Sequence, residues 1–364
     1  MATKKNTAIA VPAPSENTQT STVLFHHARR YTAGAILTLF ALLLLLVYLS
    51  PFGYMGVTAL KSNEQIISGS LLPASPQQFE YQGELYDVVN VPTENGIQQW
   101  ALVEPGRTTS QFIDPANPSA GLIEWEGRWR GLERVSSLDL QWNNFAIAFE
   151  RVKFPRMLFN TAAIAVIGVV GTLISCTLVA YGFARFPIPG KNVLFIILIS
   201  TIILPRQVTL VPTYAFFAAL GWTGTWLPLL IPHFFANAYN VFLLRQYFMT
   251  LPRELDEAAM IDGANPFQIL LRVIIPQAYP VLVAVGLFHF VFAWNDYFEP
   301  LLYLINAPEL QPISVGIQQF NDLYTREPAL LQATSIMALV PPVILFLLSQ
   351  KVFMRGVVVT GVDK

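Results

Sequence analysis

The residues best placed to take part in chemistry or docking form one polar stretch between apolar runs. Residues 251–266 read Leu-Pro-Arg-Glu-Leu-Asp-Glu-Ala-Ala-Met-Ile-Asp-Gly-Ala-Asn-Pro, in which Pro252 suits a first helical turn. The acidic residues that follow would complement the positive end of a helix dipole, and Gly263 is placed for the left-handed turn after the helix. Asn265 then caps a second helix with Pro266 at its first position. The stretch therefore predicts a helix, a stop and a second helix start.

The first of these helices carries small and acidic residues. Leu255, Ala258, Ala259 and Asp262 are expected to share one face, and the two alanines would let another surface approach closely. Glu257 offers an anchor for a basic group or for backbone amides. These residue types predict a short docking element and no catalytic residue.

Residue types needed for catalysis or metal binding are scarce. The single cysteine, Cys176, lies in an apolar run, so it cannot form an intrachain disulfide and is expected to be a buried filler. The four histidines lack the spacing of metal ligands, and the phosphate-binding motif G-x4-G-K-[ST] is missing from the sequence. We therefore expect no metal site and no cofactor bound by this chain.

Composition indicates a membrane protein. The 364 residues are 54% hydrophobic and only 12% charged, against roughly 25% charge in a soluble domain. The net charge of −1 provides no field that would attract nucleic acid. Apolar runs long enough to cross ~30 Å of hydrocarbon occupy 33–52, 160–184, 193–220, 226–248, 278–305 and 331–353.

These runs predict an all-α polytopic membrane protein with six transmembrane helices. The first, assigned to 31–53, is too long for a signal peptide, starts late and lacks a small-residue cleavage pattern. Lys and Arg residues cluster in alternate short loops, so the positive-inside rule puts these loops and both termini in the cytoplasm. Residues 1–30 are expected to form a disordered cytoplasmic tail. Prolines in spans three and four, at 205, 212, 228 and 232, predict broken helices that could shape a pathway.

A large insert separates the first two spans. Residues 54–140 contain alternating stretches such as Glu84–Val89, divided by Pro, Gly and Asn turns, and predict a small β-rich extracytoplasmic module. After it, Trp142, Phe145 and Phe149 are at helical spacing. This amphipathic helix is expected either to lie at the membrane surface or to pack against the β-rich module.

The polar stretch carries a resemblance to a known family. Glu257-Ala258-Ala259, then Gly263, then Val273 to Pro276 resemble the E-A-A-x3-G-x9-I-x-L-P signature of importer permeases of the ATP-binding-cassette superfamily, with apolar replacements at Val273 and Ile275. The resemblance implies a type I importer bundle over 141–364, with a cytoplasmic coupling loop at 250–276 that sits in a groove of an ATPase subunit. The coupling residues that it implies are Glu257, Ala258, Ala259, Asp262, Gly263 and Pro276.

Two further stretches narrow the resemblance. Residues 240–248 and 293–302 look like the carbohydrate branch and resemble the second, maltose-type permease of a heterodimer. This likeness implies a bacterial inner-membrane importer of sugar with a sister permease, an extracytoplasmic solute-binding protein and two copies of an ATP-binding subunit. ATP and Mg would be bound by those partner subunits. The likeness covers about 140–364 with the first span and leaves the β-rich insert without a role.

Candidate contacts with the solute lie in span five. Asn295 and Asp296 are polar residues in an apolar span and should face a wet interior, while Trp294 and Phe298 are aromatic residues of the kind that packs on sugar faces. Hydrogen bonds between helices would explain the same polar residues.

Two other segments resemble family features. Residues 311–318, with Pro312, Ser314 and Gly316, resemble a loop that reaches into the solute-binding protein, although a plain external loop is the alternative. Residues 355–364 resemble a C-terminal tail that touches the ATPase pair.

Other function classes stay open at this point. The solute could be a polyol or a glycerol phosphate, and a secondary transporter would also have interrupted helices. A receptor or enzyme that uses the insert is the remaining rival, although carboxylates such as Asp87, Glu124 and Glu126 form no recognisable catalytic set.

Overall fold

The computed structural model describes residues 16–93, 96–322 and 326–358, with the backbone alone for 16–31, 33, 206 and 352–358. The chain divides into two compact units, residues 1–55 and residues 56–364. The second unit contains the β-rich insert and all helices that follow it.

Helices dominate the chain, and in the described residues their order is as follows. The α-helices are α1 (Glu16–Ala59), α2 (Asn63–Ile67), α3 (Asn143–Arg151), α4 (Phe154–Arg185), α5 (Lys191–Ser200), α6 (Arg206–Ala219), α7 (Leu227–Leu230), α8 (Ala238–Thr250), α9 (Glu254–Ile261), α10 (Pro266–Ile269), α11 (Ile275–Gln277), α12 (Tyr279–Asn295), α13 (Phe298–Tyr303), α14 (Ile313–Ile317) and α15 (Pro328–Val358).

The number of membrane crossings depends on two bent helix pairs. Four segments of the described chain are long and apolar enough to cross a membrane alone: Gly34–Ala59, Phe154–Arg185, Leu227–Thr250 and Pro328–Lys351. Two further pairs of helices are long and apolar enough only when each pair is counted as one span, and each pair is bent. The bend is 98° between Lys191–Ile203 and Gln207–Ala219, and 81° between Pro266–Gln277 and Tyr279–Asn295. The predicted six spans are reached if each bent pair crosses once.

Prolines accompany these breaks. Pro205 precedes α6, and Leu204 before it is extended with ψ 118°, as expected for a residue that proline keeps out of helical geometry. Pro228 lies in the first turn of α7 and Pro232 in the short 3-10 helix that follows. The breaks predicted at 205, 228 and 232 are therefore present, whereas Pro212 lies inside the continuous helix α6, so the interruption predicted there was wrong.

The core of the second unit forms around α4, which packs against α8 and α12. Its buried residues include Cys176 and Ala180 on α4 and Val241 and Leu244 on α8. Gly168 allows the close approach of α12, because an added Cβ would lie 2.7 Å from Nε2 of His289. The expected buried role of Cys176 is confirmed.

The insert is β-rich, as predicted. Its strands are β1 (Ala74–Pro76), β2 (Gln78–Tyr81), β3 (Glu84–Thr93), β4 (Gly96–Glu104), β5 (Thr109–Ile113), β6 (Leu122–Glu126) and β7 (Ser136–Leu138).

Strands β2 to β6 form an antiparallel sheet in chain order, and β1 pairs with β7. Alternate residues fill two small cores on opposite faces of the sheet, because side chains alternate along a strand. One core contains Val88 and Ile113, and the other contains Val89, Val91 and Phe112.

Several boundaries differ from those predicted. Helix α1 begins at Glu16, so residues 16–30, which were predicted to belong to a disordered tail, are part of this helix, while residues 1–15 lie outside the described chain. The same helix continues past residue 53 to Ala59, so the insert begins later than expected. Helix α15 continues to Val358, and the remainder of the predicted C-terminal tail, residues 359–364, lies outside the described residues.

The predicted amphipathic helix exists as α3, but its buried side has different neighbours. Ala148 and Val152 are buried in a cluster with residues of α4 and α15. Phe149 stacks on Phe154 with ring centroids 5.4 Å apart, whereas Trp142 is exposed. The β-rich module, proposed above as a packing partner, contributes no residue to that cluster.

Candidate functional site

The predicted order of helix, stop and second helix start is present in the proposed coupling loop, although α9 begins at Glu254 and Pro252 lies before its first turn. Helix α9 ends at Ile261, and Gly263 follows with φ 82°, the left-handed conformation that glycine adopts without strain. The amide of Ala264 donates to the carbonyl of Ala259 at 2.9 Å, which closes the end of the helix. Asn265 and Gln268 then form a capping box at the start of α10.

The exposed face of α9 differs from the predicted one. Leu255, Ala258, Ala259 and Asp262 lie along one side of the helix, as predicted, but only Ala258 and Asp262 are exposed, whereas Leu255 and Ala259 are half-buried. The outward face instead combines Glu254, Glu257, Ala258, Ile261 and Asp262, spaced three and four residues apart. Ile261 is 86% exposed and was missed in the sequence, where nothing distinguishes an exposed isoleucine from a buried one.

The inward face of α9 carries an ion pair that the sequence did not indicate. Asp256 Oδ2 lies 2.9 Å from Arg185 Nε at the end of α4, and the two side chains are 10% and 8% exposed. The Arg185 guanidinium also donates to the carbonyl of Leu251 at 3.1 Å. Burial raises the pKa of Asp256, while Arg185 and then Arg253 act in the opposite direction. The pair attaches the coupling helix to the central helix of the core.

Behind α9, the chain continues into the core through a distorted helix. Residues 270–274 form a π-helical turn, and Leu270 and Ile274 are buried in the cluster that holds Val241 and Val285. Pro276 lies in the first turn of α11, just before the 81° bend into α12. Movement of α9 would therefore be transmitted to buried side chains rather than lost in a flexible loop.

A cavity of about 680 Å³ lies in the second unit at the broken spans. Its described lining residues are Gln207, Thr209, Leu210, Thr213, Phe217, Pro228, Pro232, His233, Asn237, Phe292, Asp296, Phe298, Glu299 and Tyr303. Amide, hydroxyl and carboxyl groups are thus set among aromatic and proline walls. Such a mixture suits a polar solute that also has apolar faces.

The four residues predicted to contact the solute do not lie together in the structure. Asp296 and Phe298 line the cavity. Trp294 is buried instead, where its Nε1 donates to the carbonyl of Ala338 at 3.1 Å. Asn295 is exposed and donates to the Val291 carbonyl at 2.8 Å, one turn earlier in its own helix.

The physical reason is that α12 ends at Asn295 and α13 begins at Phe298, so Trp294 and Phe298 belong to different helices. The cavity also includes Glu299, His233 and Asn237, which sequence reasoning left out. The only feature of the sequence that pointed to the region of His233 and Asn237 was the pair of prolines at 228 and 232.

The predicted binding-protein segment is not an exposed loop in this structure. Pro312 and Gly316 are buried and Ser314 is half-buried, around the short helix α14. Asn160 of α4 donates to the carbonyls of Glu309 and Gln311, both at 2.9 Å.

This segment also contacts the cavity wall. Ser314 Oγ donates to the backbone carbonyl of Asp296 at 2.6 Å, and the amide of Ile313 donates to Thr161 Oγ1 at 2.8 Å. The hydrogen bond from Ser314 thus helps to hold Asp296 in place at the cavity wall. Within the described residues, no group of three or more His, Cys, Asp or Glu side chains could hold a metal ion.

The chain is similar to curated transport proteins. It is 29% identical over 258 residues to the osmoprotective compounds uptake permease protein GgtD of Synechocystis, covering 69% of this chain and 85% of that protein. It is 33% identical over 211 residues to the sn-glycerol-3-phosphate transport system permease protein UgpE of Rhizobium meliloti, covering 57% of this chain and 74% of that one.

A solved structure supports the fold. The crystal structure of a bacterial ABC transporter involved in the import of the acidic polysaccharide alginate matches with a TM-score of 0.59 and 21% sequence identity. The match covers 94% of this chain and 99% of that one. At this identity the likeness concerns the fold alone, which is that of a type I importer permease.

The family match covers half of the chain and includes residues 250–276, all the described lining residues of the cavity, and α15. Residues 177–359 match the family described as the inner membrane component of binding-protein-dependent transport systems. We conclude that this chain belongs to that family of membrane permeases.

Proposed function

We propose that the chain is the transmembrane permease subunit of an ATP-driven, binding-protein-dependent sugar importer. One observation carries the proposal: a single packed core joins the coupling helix α9 to the walls of the cavity. Ala259 of α9 and Ala264, which follows it, pack against that core, and so does Ala236, which is adjacent to Asn237 of the cavity wall. A push on α9 would therefore reach the place where a solute would bind.

The proposed cycle is alternating access. ATP closes two cytoplasmic ATPase subunits, α9 moves with the groove in which it sits, and the bundle opens the cavity to the outside. Hydrolysis returns the bundle to the inward state and releases the solute. In this proposal both termini and the coupling loop are cytoplasmic, and ATP and Mg are bound by the partner subunits, so the chain itself is not an enzyme.

The remaining partners are a sister permease, which would complete the path as a heterodimer, and an extracytoplasmic solute-binding protein. The segment 311–318 was expected to enter that binding protein. Its burial against α4 favours another role, in which Ser314 holds Asp296 at the cavity wall.

A sugar is the solute that the cavity suits, because phenyl and proline surfaces stand beside hydroxyl, amide and carboxyl groups. A polyol or glycerol phosphate is the second candidate, and the relatives named for sn-glycerol-3-phosphate favour it. Membership of a binding-protein-dependent family argues against a secondary transporter.

Reconstitution tests the proposal. The chain would be co-expressed with the permease, ATPase and binding-protein genes encoded beside it, and the purified complex placed in liposomes. We expect uptake of a radiolabelled sugar from a panel that also contains polyols and sn-glycerol-3-phosphate, with strict dependence on ATP and on the binding protein. Uptake driven by an ion gradient without the ATPase would overturn the proposal.

A further inference from the structure

A groove between α5 and α8 contains a positive charge without a counter-ion. The guanidinium carbon of Arg245, on α8, lies 4.1 Å from the ring centroid of Phe195, on α5, in a cation–π contact. The Nε of Arg245 is enclosed without a hydrogen-bond partner, and in the described part of the chain this residue forms no ion pair. A cation in a membrane-crossing helix is costly unless a polar or anionic group meets it. An anionic group from outside the chain would supply that partner.

The position of Arg245 along its span points to the edge of the membrane. The apolar segment Leu227–Thr250 ends five residues after Arg245, a distance of about 7.5 Å at a rise of 1.5 Å per residue. Long basic side chains at such a depth keep their stems beside acyl chains and extend their charge toward the headgroups. The charge of Arg245 is therefore within reach of the lipid headgroups.

A second basic residue lies at the same end of the bundle. Lys191 begins α5, which follows the end of α4 that is paired with α9. Lys191 precedes Phe195 by four residues, so both side chains lie on one side of α5. The Nζ of Lys191 donates to the carbonyl of Phe186 at 3.2 Å and forms no ion pair within the residues that the structure describes. The groove thus carries two positive charges without a carboxylate partner.

Apolar side chains border these two cations. Leu194 and Ile197, close to Phe195 on α5, are 47% and 58% exposed, and Phe242 of α8 stacks on Phe195 with ring centroids 6.4 Å apart. A groove with cations at one end and apolar walls suits a molecule that carries an anionic head and hydrocarbon chains. Inorganic phosphate would gain nothing from the apolar walls.

We propose that the groove between α5 and α8 binds an anionic phospholipid, whose phosphate is recognised by Arg245 and Lys191. A guanidinium donates two parallel hydrogen bonds to phosphate oxygens, a geometry that an ammonium group does not offer. In the orientation proposed above, this lipid belongs to the cytoplasmic leaflet, whose anionic lipids attract basic residues near its surface. The inference requires only that α5 and α8 cross a membrane, so it does not depend on the solute or on the ATPase.

Native mass spectrometry of the full-length chain, released from detergent micelles, counts the bound lipids. The chain is titrated with dioleoylphosphatidylglycerol or with zwitterionic dioleoylphosphatidylcholine, which has the same acyl chains. We expect the first phosphatidylglycerol to bind more tightly than the first phosphatidylcholine. Arg245→Gln should weaken phosphatidylglycerol binding about fivefold, which corresponds to ~1 kcal/mol for one basic residue near an anionic surface. The same variant should leave phosphatidylcholine binding unchanged.

Arg130→Gln is the matched control. Arg130 also stacks on an aromatic ring, that of Trp129 at 5.3 Å, but it belongs to the β-rich insert. This variant removes the same charge and should leave the affinity for phosphatidylglycerol unchanged. Lys191→Gln, at the start of α5, should weaken phosphatidylglycerol binding and keeps the site testable if Arg245→Gln does not fold.

Equal affinity for the two lipids, or equal losses in Arg245→Gln and Arg130→Gln, would overturn the inference. Displacement of phosphatidylglycerol by millimolar inorganic phosphate would assign the groove to a free anion instead. The complex co-purified with the sister permease should retain the lipid. If that complex lost the phosphatidylglycerol that the chain alone binds through Arg245, the sister permease would be the occupant of the groove, and the lipid assignment would be wrong.

Discussion

Arg185 Nε lies 2.9 Å from Asp256 Oδ2, in an ion pair that joins the last turn of α4 to the coupling helix α9. The two residues belong to different parts of the proposed importer, since α4 forms the core of the bundle and α9 is the helix proposed to dock on the ATPase subunit. The pair is nearly enclosed, so its loss should be felt in both stability and coupling.

Breaking one half of this pair should destabilise the chain. Arg185→Met or Asp256→Leu alone would leave a buried charge without compensation, at a cost of about 3 kcal/mol. The double variant should recover most of that loss, because no unpaired charge remains. Thermal unfolding of the purified protein in detergent measures the three variants. Losses that simply add in the double variant would contradict this interpretation of the pair.

The positive φ of Gly263 predicts an effect of backbone conformation alone. An added Cβ would meet no atom within 4 Å, so Gly263→Ala should cost only the roughly 1–2 kcal/mol of the left-handed conformation. Gly263→Leu should also crowd a docked ATPase and reduce ATP-dependent uptake severalfold, while membrane insertion stays normal. Gly182→Ala, at a helical glycine with equally open space, is the control. Normal uptake and normal binding-protein-stimulated ATPase activity of Gly263→Leu would refute the docking role.

Ile261 predicts a docking contact that the sequence did not reveal. Its side chain is 86% exposed on the outward face of α9, where an apolar group is expected to be covered by a partner. Ile261→Asp should reduce co-purification of the ATPase subunit at least tenfold. Ile67→Asp is the matched control, because Ile67 is 85% exposed but belongs to α2 beside the insert. Equal retention of the ATPase by both variants would argue against this contact.

Asn160 predicts how the segment behind the cavity is held. Its amide donates to two backbone carbonyls from a site that is 4% exposed, so Asn160→Leu should cost about 2 kcal/mol. We expect faster amide hydrogen exchange in residues 309–317, since their anchor to α4 is lost. Asn306→Leu, exposed on the same connection, should leave exchange unchanged. Unchanged exchange in Asn160→Leu would show that Thr161 alone retains the segment.

Local signals in the sequence were sufficient for the coupling loop. The stop at Gly263 and the cap at Asn265 were both predicted, because capping depends on residues within one turn of each other. The same holds for the β-rich insert and for the breaks near Pro205 and Pro228. In each case the structure is determined by contacts between residues that are close together in the sequence.

Contacts between distant segments were not foreseen from the sequence. Trp294 and Asn295 were expected beside the solute, but α12 ends at Asn295, and Trp294 turns toward α15. The segment around Pro312 was expected on the surface, yet Asn160, far earlier in the chain, buries it.

The sequence by itself determined that this is a membrane protein with a helix, a stop and a second helix start around Gly263, since composition, apolar run length and capping residues are properties of the chain. The permease family was indicated by the resemblance of the motif around Glu257. The tertiary structure decided which face of α9 is outward, that Arg185 pairs with Asp256, and that Asp296 and Glu299 face one cavity with Thr213. The physical reason is that burial and charge pairing depend on neighbours brought together by packing. When a span is apolar on all sides, its sequence does not show which side will pack against neighbouring helices.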